Sequence, residues 1–115
     1  MRVLIVDDHP SFRASARKLL ESEGYDVVGE AADGAGALAA AEELHPDVVL
    51  LDVQLPDLDG FEVAKRLAES DSAPEVILTS SRDSVDYGKC VGECGARGFV
   101  PKAELSGAVL TTLLG

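Results

Sequence analysis

The segment Val48-Val49-Leu50-Leu51 is apolar at four successive positions, with no alternation and no helical stripe. A run of this kind, ending in Asp52, reads as a strand covered on both faces, as in a parallel sheet. Short apolar runs recur at intervals of roughly two dozen residues: Val3 to Val6, Val27 to Val28 with Ala31, Val48 to Leu51, Val76 to Leu78, and Phe99 to Val100. Helical patterns fill the gaps. Phe12, Ala16, Leu19 and Leu20 fall at i, i+4, i+7 and i+8 on one face. Pro10 suits the first turn of that helix, and Gly24 suits the turn after it. Ala35 to Leu44 is Ala-rich and stops before His45-Pro46, and Asp59 can cap a helix from Gly60 to Ser70. A weaker helix is expected over Ser84 to Cys94 and a last one over Leu105 to Leu114. Five strand–helix units in alternation define an α/β fold, with helices on both faces of a parallel sheet.

The 115 residues suffice for one domain, taken as 1–115, with no linker or second domain in the pattern. Such a chain should have a radius of gyration of ~13 Å. A net charge of −11 argues against direct binding of nucleic acid or of an anionic membrane by this domain. No apolar run approaches the ~20 residues of a membrane span. Met1 leads straight into the first apolar run without a signal-peptide layout, so a cytoplasmic location is expected.

In open parallel sheets, ligands bind beyond the carboxyl ends of the strands. Asp7 and Asp8 follow the first run, Asp52 ends the third, Thr79, Ser80 and Ser81 follow the fourth, and Lys102 follows the fifth. If the first and third strands are neighbours, three carboxylates, a hydroxyl and an ammonium meet at one edge. Clustered carboxylates repel unless a cation joins them. Hard oxygen donors suit Mg²⁺, and a carboxylate beside the metal can act as a nucleophile toward phosphorus.

Four segments carry a resemblance: Val3-Leu4-Ile5-Val6-Asp7-Asp8-His9-Pro10, Val48 through Gly60, Ile77-Leu78-Thr79-Ser80-Ser81, and Gly95 through Lys102. In this order and spacing the chain resembles a response-regulator receiver domain of two-component signalling. The resemblance implies a doubly wound five-stranded sheet of order 2-1-3-4-5. It implies that Asp52 is the phosphoacceptor and that Asp7, Asp8, Asp52 and the Gln54 carbonyl hold Mg²⁺. Ser80 would be the switch hydroxyl, with Thr79 and Ser81 as neighbouring alternatives. Lys102 would pair with the phosphoryl oxygens, and Phe99 would be the switch aromatic. The implied partners are a sensor histidine kinase or phosphotransfer protein, with a homodimer through the face of the fourth helix, fifth strand and fifth helix. Gln54 and Arg82 would tune phosphoryl lifetime.

Pro101 precedes Lys102 and Ala103 follows it, so no cis peptide is expected after the lysine. This variant resembles receivers that carry a helix-turn-helix output domain. His9 and His45 receive no function, because no second histidine accompanies either. Cys90 and Cys94, four apart, read as free thiols, and Gly88 and Gly92 suggest a fourth helix close to its stability limit. Two rivals stand beside the receiver reading. A haloacid-dehalogenase-like phosphohydrolase would need an Asp-x-Asp that Asp52-Val53-Gln54 lacks. A docking module of the same fold would work without phosphorylation.

Overall fold

The computed structural model describes residues 1–70, 73–80 and 95–114. The expected helix over Ser84 to Cys94 lies outside them, and with it Gly88, Cys90, Gly92 and Cys94. Ser81 and Arg82 lie outside them as well.

The strands are β1 (Arg2–Val6), β2 (Asp26–Ala31), β3 (Val48–Asp52), β4 (Glu75–Ser80) and β5 (Gly98–Pro101). Helices α1 (Pro10–Ser22), α2 (Gly34–Leu44) and α3 (Gly60–Ala68) alternate with the early strands, and a last helix spans Gly107–Leu114. All pairings in the sheet are parallel, in the order β2-β1-β3-β4-β5. The fold expected from the resemblance is therefore the one observed. The radius of gyration is 12.4 Å. Among the described residues, no helix is long and apolar enough to cross a membrane, and no peptide bond is cis.

The unbroken apolar runs follow from the two layers that cover them. Leu4, Val6, Val49, Leu51, Val76 and Leu78 pack under α2 and α3 with Ala37, Val63, Ala64 and Leu67. Val3, Ile5, Val48, Leu50 and Ile77 face the other way, against Ala16 and Leu20 of α1 and Leu110 of the last helix. Alternate residues of one strand thus feed two separate cores, and neither set can be polar.

Helix boundaries follow local chemistry. Pro10 occupies the first turn of α1. Asp59 caps α3, its Oδ1 accepting from the Glu62 N–H at 2.8 Å. Asp33 does the same for α2 through the Gly36 N–H at 2.7 Å, which starts that helix one residue ahead of the expected Ala35. The expected helix from Leu105 starts later, because Lys102–Glu104 closes into a separate 3-10 turn and Leu105 is extended. Ser106 then caps the last helix, its Oγ accepting from the Val109 N–H at 3.2 Å.

The loop from β3 to α3 is pinned at several points. Gly60 N–H donates to the Val53 carbonyl at 2.8 Å, and Gln54 bridges Asp59. Asp57 Oδ1 and Oδ2 accept from Gly34 N and Ala35 N at 2.7 and 2.9 Å, tying the loop to the start of α2. A Cβ on Gly60 would overlap the Asp52 carbonyl and lie 2.6 Å from Val53 Cα, both backbone. Gly60→Ala should therefore lower the unfolding free energy by about 1–3 kcal/mol, read from urea denaturation. An unchanged midpoint would mean that the loop has slack.

Candidate functional site

The sheet order places the ends of β1 and β3 side by side, with β4 and β5 next in line. Asp7, one residue past β1, is fully buried, and its N–H continues the ladder to the Ala31 carbonyl at 3.0 Å. Asp52, the last residue of β3, is also buried. Asp8 faces outward, its side chain 37% exposed. Lys102, just past β5, reaches back between the two buried carboxylates. Its Nζ lies 2.6 Å from Asp7 Oδ2 and 3.1 Å from Asp52 Oδ2. The same ammonium sits 4.6 Å from the centroid of the Phe12 ring on α1, a cation–π contact that adds to its fixation. Asp52 Oδ1 accepts from the Gln54 N–H at 3.0 Å, so the pinned loop holds the carboxylate in one orientation.

Burial is the main cause that pushes the Asp52 carboxyl above its ordinary value of 3.8. The charge of Asp7 pushes the same way, and the Gln54 N–H and Lys102 oppose both without cancelling them. For Lys102, burial pulls down, but hydrogen bonding and charge from Asp7 and Asp52 outweigh it and raise the ammonium above 10.5. One ammonium among Asp7, Asp8 and Asp52 leaves a formal charge of −2 in the cluster. The donors fit a cation: one ligand atom each from Asp7, Asp8, His9 and Asp52 lie within 4.8 Å of one another.

Of the sequence-derived residues, the structure brings Asp7, Asp8, Asp52 and Lys102 together at this edge, with two additions. Phe12 read only as core-facing, since periodicity does not tell what a ring covers. His9, set aside for want of a second histidine, has its Nδ1 3.0 Å from both Asp7 Oδ1 and Asp8 Oδ1. Its partners are carboxylates, and only its adjacency to Asp7-Asp8 could have signalled them. Two hydroxyls end β4. Thr79 is the register partner of Asp52, and Ser80 follows, paired with Pro101. Both are buried. Phe99, half-buried, packs with the α2–α3 core and is the register partner of Leu78. Among the described residues, Thr79 Oγ1 has no hydrogen-bond partner.

Comparisons with known proteins agree with this geometry. Residues 3–113 match the family model of the response regulator receiver domain, and the chain belongs to that family. One relative is EvgA of Escherichia coli K12, described as a DNA-binding transcriptional activator. It is 35% identical over 104 residues, which are 90% of this chain and 51% of EvgA. The chain spans about half the length of the curated relatives it matches. Among solved structures, a LuxR-family two-component response regulator from Aurantimonas sp. SI85-9A1 superposes with a TM-score of 0.86 at 34% identity, covering 97% of this chain and 84% of that one. A chain of the CheX–CheY–BeF3–Mg²⁺ complex from Borrelia burgdorferi gives 0.85 at 28% identity, covering 99% and 86%. The chain is a receiver domain of the response-regulator family, a signalling module.

Two outcomes follow for the site. Thr79→Val removes a buried, unpaired hydroxyl and should stabilise the fold by about 1 kcal/mol; a loss of stability in urea would reveal a bond to that hydroxyl. The raised Asp52 carboxyl means that the folded state holds its proton more readily than the unfolded chain does. The ionised form therefore opposes folding above the ordinary value of 3.8. Asp52→Asn should raise the melting temperature at neutral pH, and the gain should shrink as pH falls through the raised folded value and disappear below 3.8, where Asp52 is protonated in both states. A gain independent of pH would contradict this origin.

Proposed function

We propose that Asp52 accepts a phosphoryl group from a phosphohistidine of a sensor kinase or phosphotransfer protein. An Asp52 oxygen attacks phosphorus, the P–N bond breaks, and its electron pair returns to the donor imidazole. The product is an aspartyl phosphate. The observation that carries the reading is Lys102, an ammonium 3.1 Å from Asp52 Oδ2 and 2.6 Å from Asp7 Oδ2, at the edge where Asp8 also stands.

Asp7, Asp8, Asp52 and the Gln54 carbonyl would hold Mg²⁺, which when bound offsets charge on the transferring group and orients it. The chain's own residues do the rest. The Gln54 N–H, 3.0 Å from Asp52 Oδ1, fixes the direction of the nucleophile. Lys102 turns from carboxylate to phosphoryl oxygen with little displacement. Ser80 donates its hydroxyl to the phosphoryl group from the end of β4, and Phe99 repacks with it. The surface around β5 and the last helix then changes its partner, including a second copy of the chain. Gln54 and Arg82 set the lifetime of the acyl phosphate, whose formation and loss are the only reactions that the domain promotes.

Several features support a wider assignment: the family match, the strongly acidic charge, and relatives about twice as long that include a DNA-binding activator. Residues 1–115 then act as one receiver domain in the cytoplasm, without touching DNA or membrane, as the phosphorylation-controlled part of a transcriptional regulator.

Intact-mass spectrometry after incubation with acetyl phosphate and Mg²⁺ tests the reading. One phosphoryl group should appear on the parent, none on Asp52→Ala, and none when EDTA removes the metal. If the parent gains nothing and binds no beryllofluoride, the domain works as a docking module without phosphorylation.

A further inference from the structure

The acidic cluster contains a nitrogen donor. His9 Nδ1 stands 3.0 Å from Asp7 Oδ1 and 3.0 Å from Asp8 Oδ1. The His9 N–H also donates to Asp7 Oδ1 at 2.8 Å, which fixes that carboxylate toward the ring. Lys102 engages the other oxygen of Asp7, so the Oδ1 side is the side that His9 shares with Asp8. An octahedral ion with bonds of about 2.1 Å sets adjacent ligand atoms about 3.0 Å apart. The spacing of Nδ1 from both carboxylate oxygens has that value. His9 precedes α1 as its N-cap residue, yet its side chain makes no capping bond. The ring is thus not spent on the helix.

We infer that His9 Nδ1 is a ligand for borderline divalent transition ions that accept octahedral geometry, of the Ni²⁺ and Co²⁺ class, together with Asp7 and Asp8. This rests on the reading of the cluster as a divalent-metal pocket and adds a selectivity to it. Imidazole suits such ions, and their affinity for mixed nitrogen and oxygen donors exceeds that of Mg²⁺. Mg²⁺ prefers oxygen and retains waters, so His9 contributes little to it. Without an ion, the Nδ1–H tautomer shares its proton between the two carboxylates. The Nε2–H tautomer turns the Nδ1 lone pair onto an ion at the same point, with no net change in proton count. The pocket thereby holds two competing classes of cation, and a transition ion seated on His9 displaces Mg²⁺ from shared carboxylates.

The experiment is calorimetric titration of the parent, His9→Ala, His45→Ala and Asp8→Asn with Ni²⁺ and, separately, Mg²⁺. The His9 side chain is 65% exposed, so His9→Ala should keep the fold, checked by thermal melting. The parent should bind Ni²⁺ more tightly than Mg²⁺. His9→Ala should lose about tenfold or more in Ni²⁺ affinity with Mg²⁺ affinity unchanged, and His45→Ala should match the parent for both ions. Asp8→Asn should weaken both, which reports on the pocket itself. Substoichiometric Co²⁺ should shift the ring-proton NMR signals of His9 and leave those of His45. Equal Ni²⁺ affinity in His9→Ala and the parent overturns the inference, as does an equal loss of both ions in His9→Ala. A parent that binds neither ion overturns the metal pocket as well.

Discussion

The Lys102 ammonium between the buried carboxylates of Asp7 and Asp52 is the interaction on which the site depends. Two carboxylates at the ends of adjacent buried strands would repel across a short distance with little water between them. One ammonium compensates part of that charge, and burial still holds Asp52 above its ordinary range. The sheet order makes this possible. β1 beside β3 brings the carboxylates together, β4 and β5 carry Lys102 to the same edge, and the Phe12 ring of α1 lies against the ammonium. The residual negative charge is a standing demand for cations, and it is what makes phosphoryl chemistry at Asp52 physically reasonable.

Orientation comes from the β3–α3 loop. Its backbone passes so close to the end of β3 that only glycine fits at position 60. Asp57 accepts N–H bonds from Ala35 and Gly34, which hold its carboxyl below the usual range and fasten the loop to α2. Asp59 caps α3 from the same loop. The Gln54 N–H is therefore delivered to Asp52 Oδ1 by a braced segment, a functional loop positioned by a rigid scaffold.

Much of this was legible in the sequence, because the signals are local. A four-residue apolar run between turn signals reads as a strand covered twice, and Asp59 before Gly60 announces a helix start. Other features were not. Asp33 and Ser106 moved helix starts by one or two residues, since several residues nearby could cap and propensity does not choose among them. Nothing local marks Asp57 as the tie to α2, because its partners are N–H groups 22 and 23 positions away. His9 was dismissed by counting histidines, although the atoms that meet its ring belong to Asp7 and Asp8. Thr79 and Ser80 are adjacent, and register alone says that Thr79 lies opposite Asp52.

By itself, the sequence determined the α/β class, the alternation of elements, and which chemical groups stand at strand ends. Those properties depend on side-chain period and on backbone preferences within a few residues. Only the tertiary structure decided which carboxylate oxygen faces Lys102, which faces His9, and which ring lies against the ammonium. These are distances between residues 50 to 95 positions apart, or between rotamers of neighbours. They are settled by strand register and by the packing of two helical layers, and no local pattern encodes them.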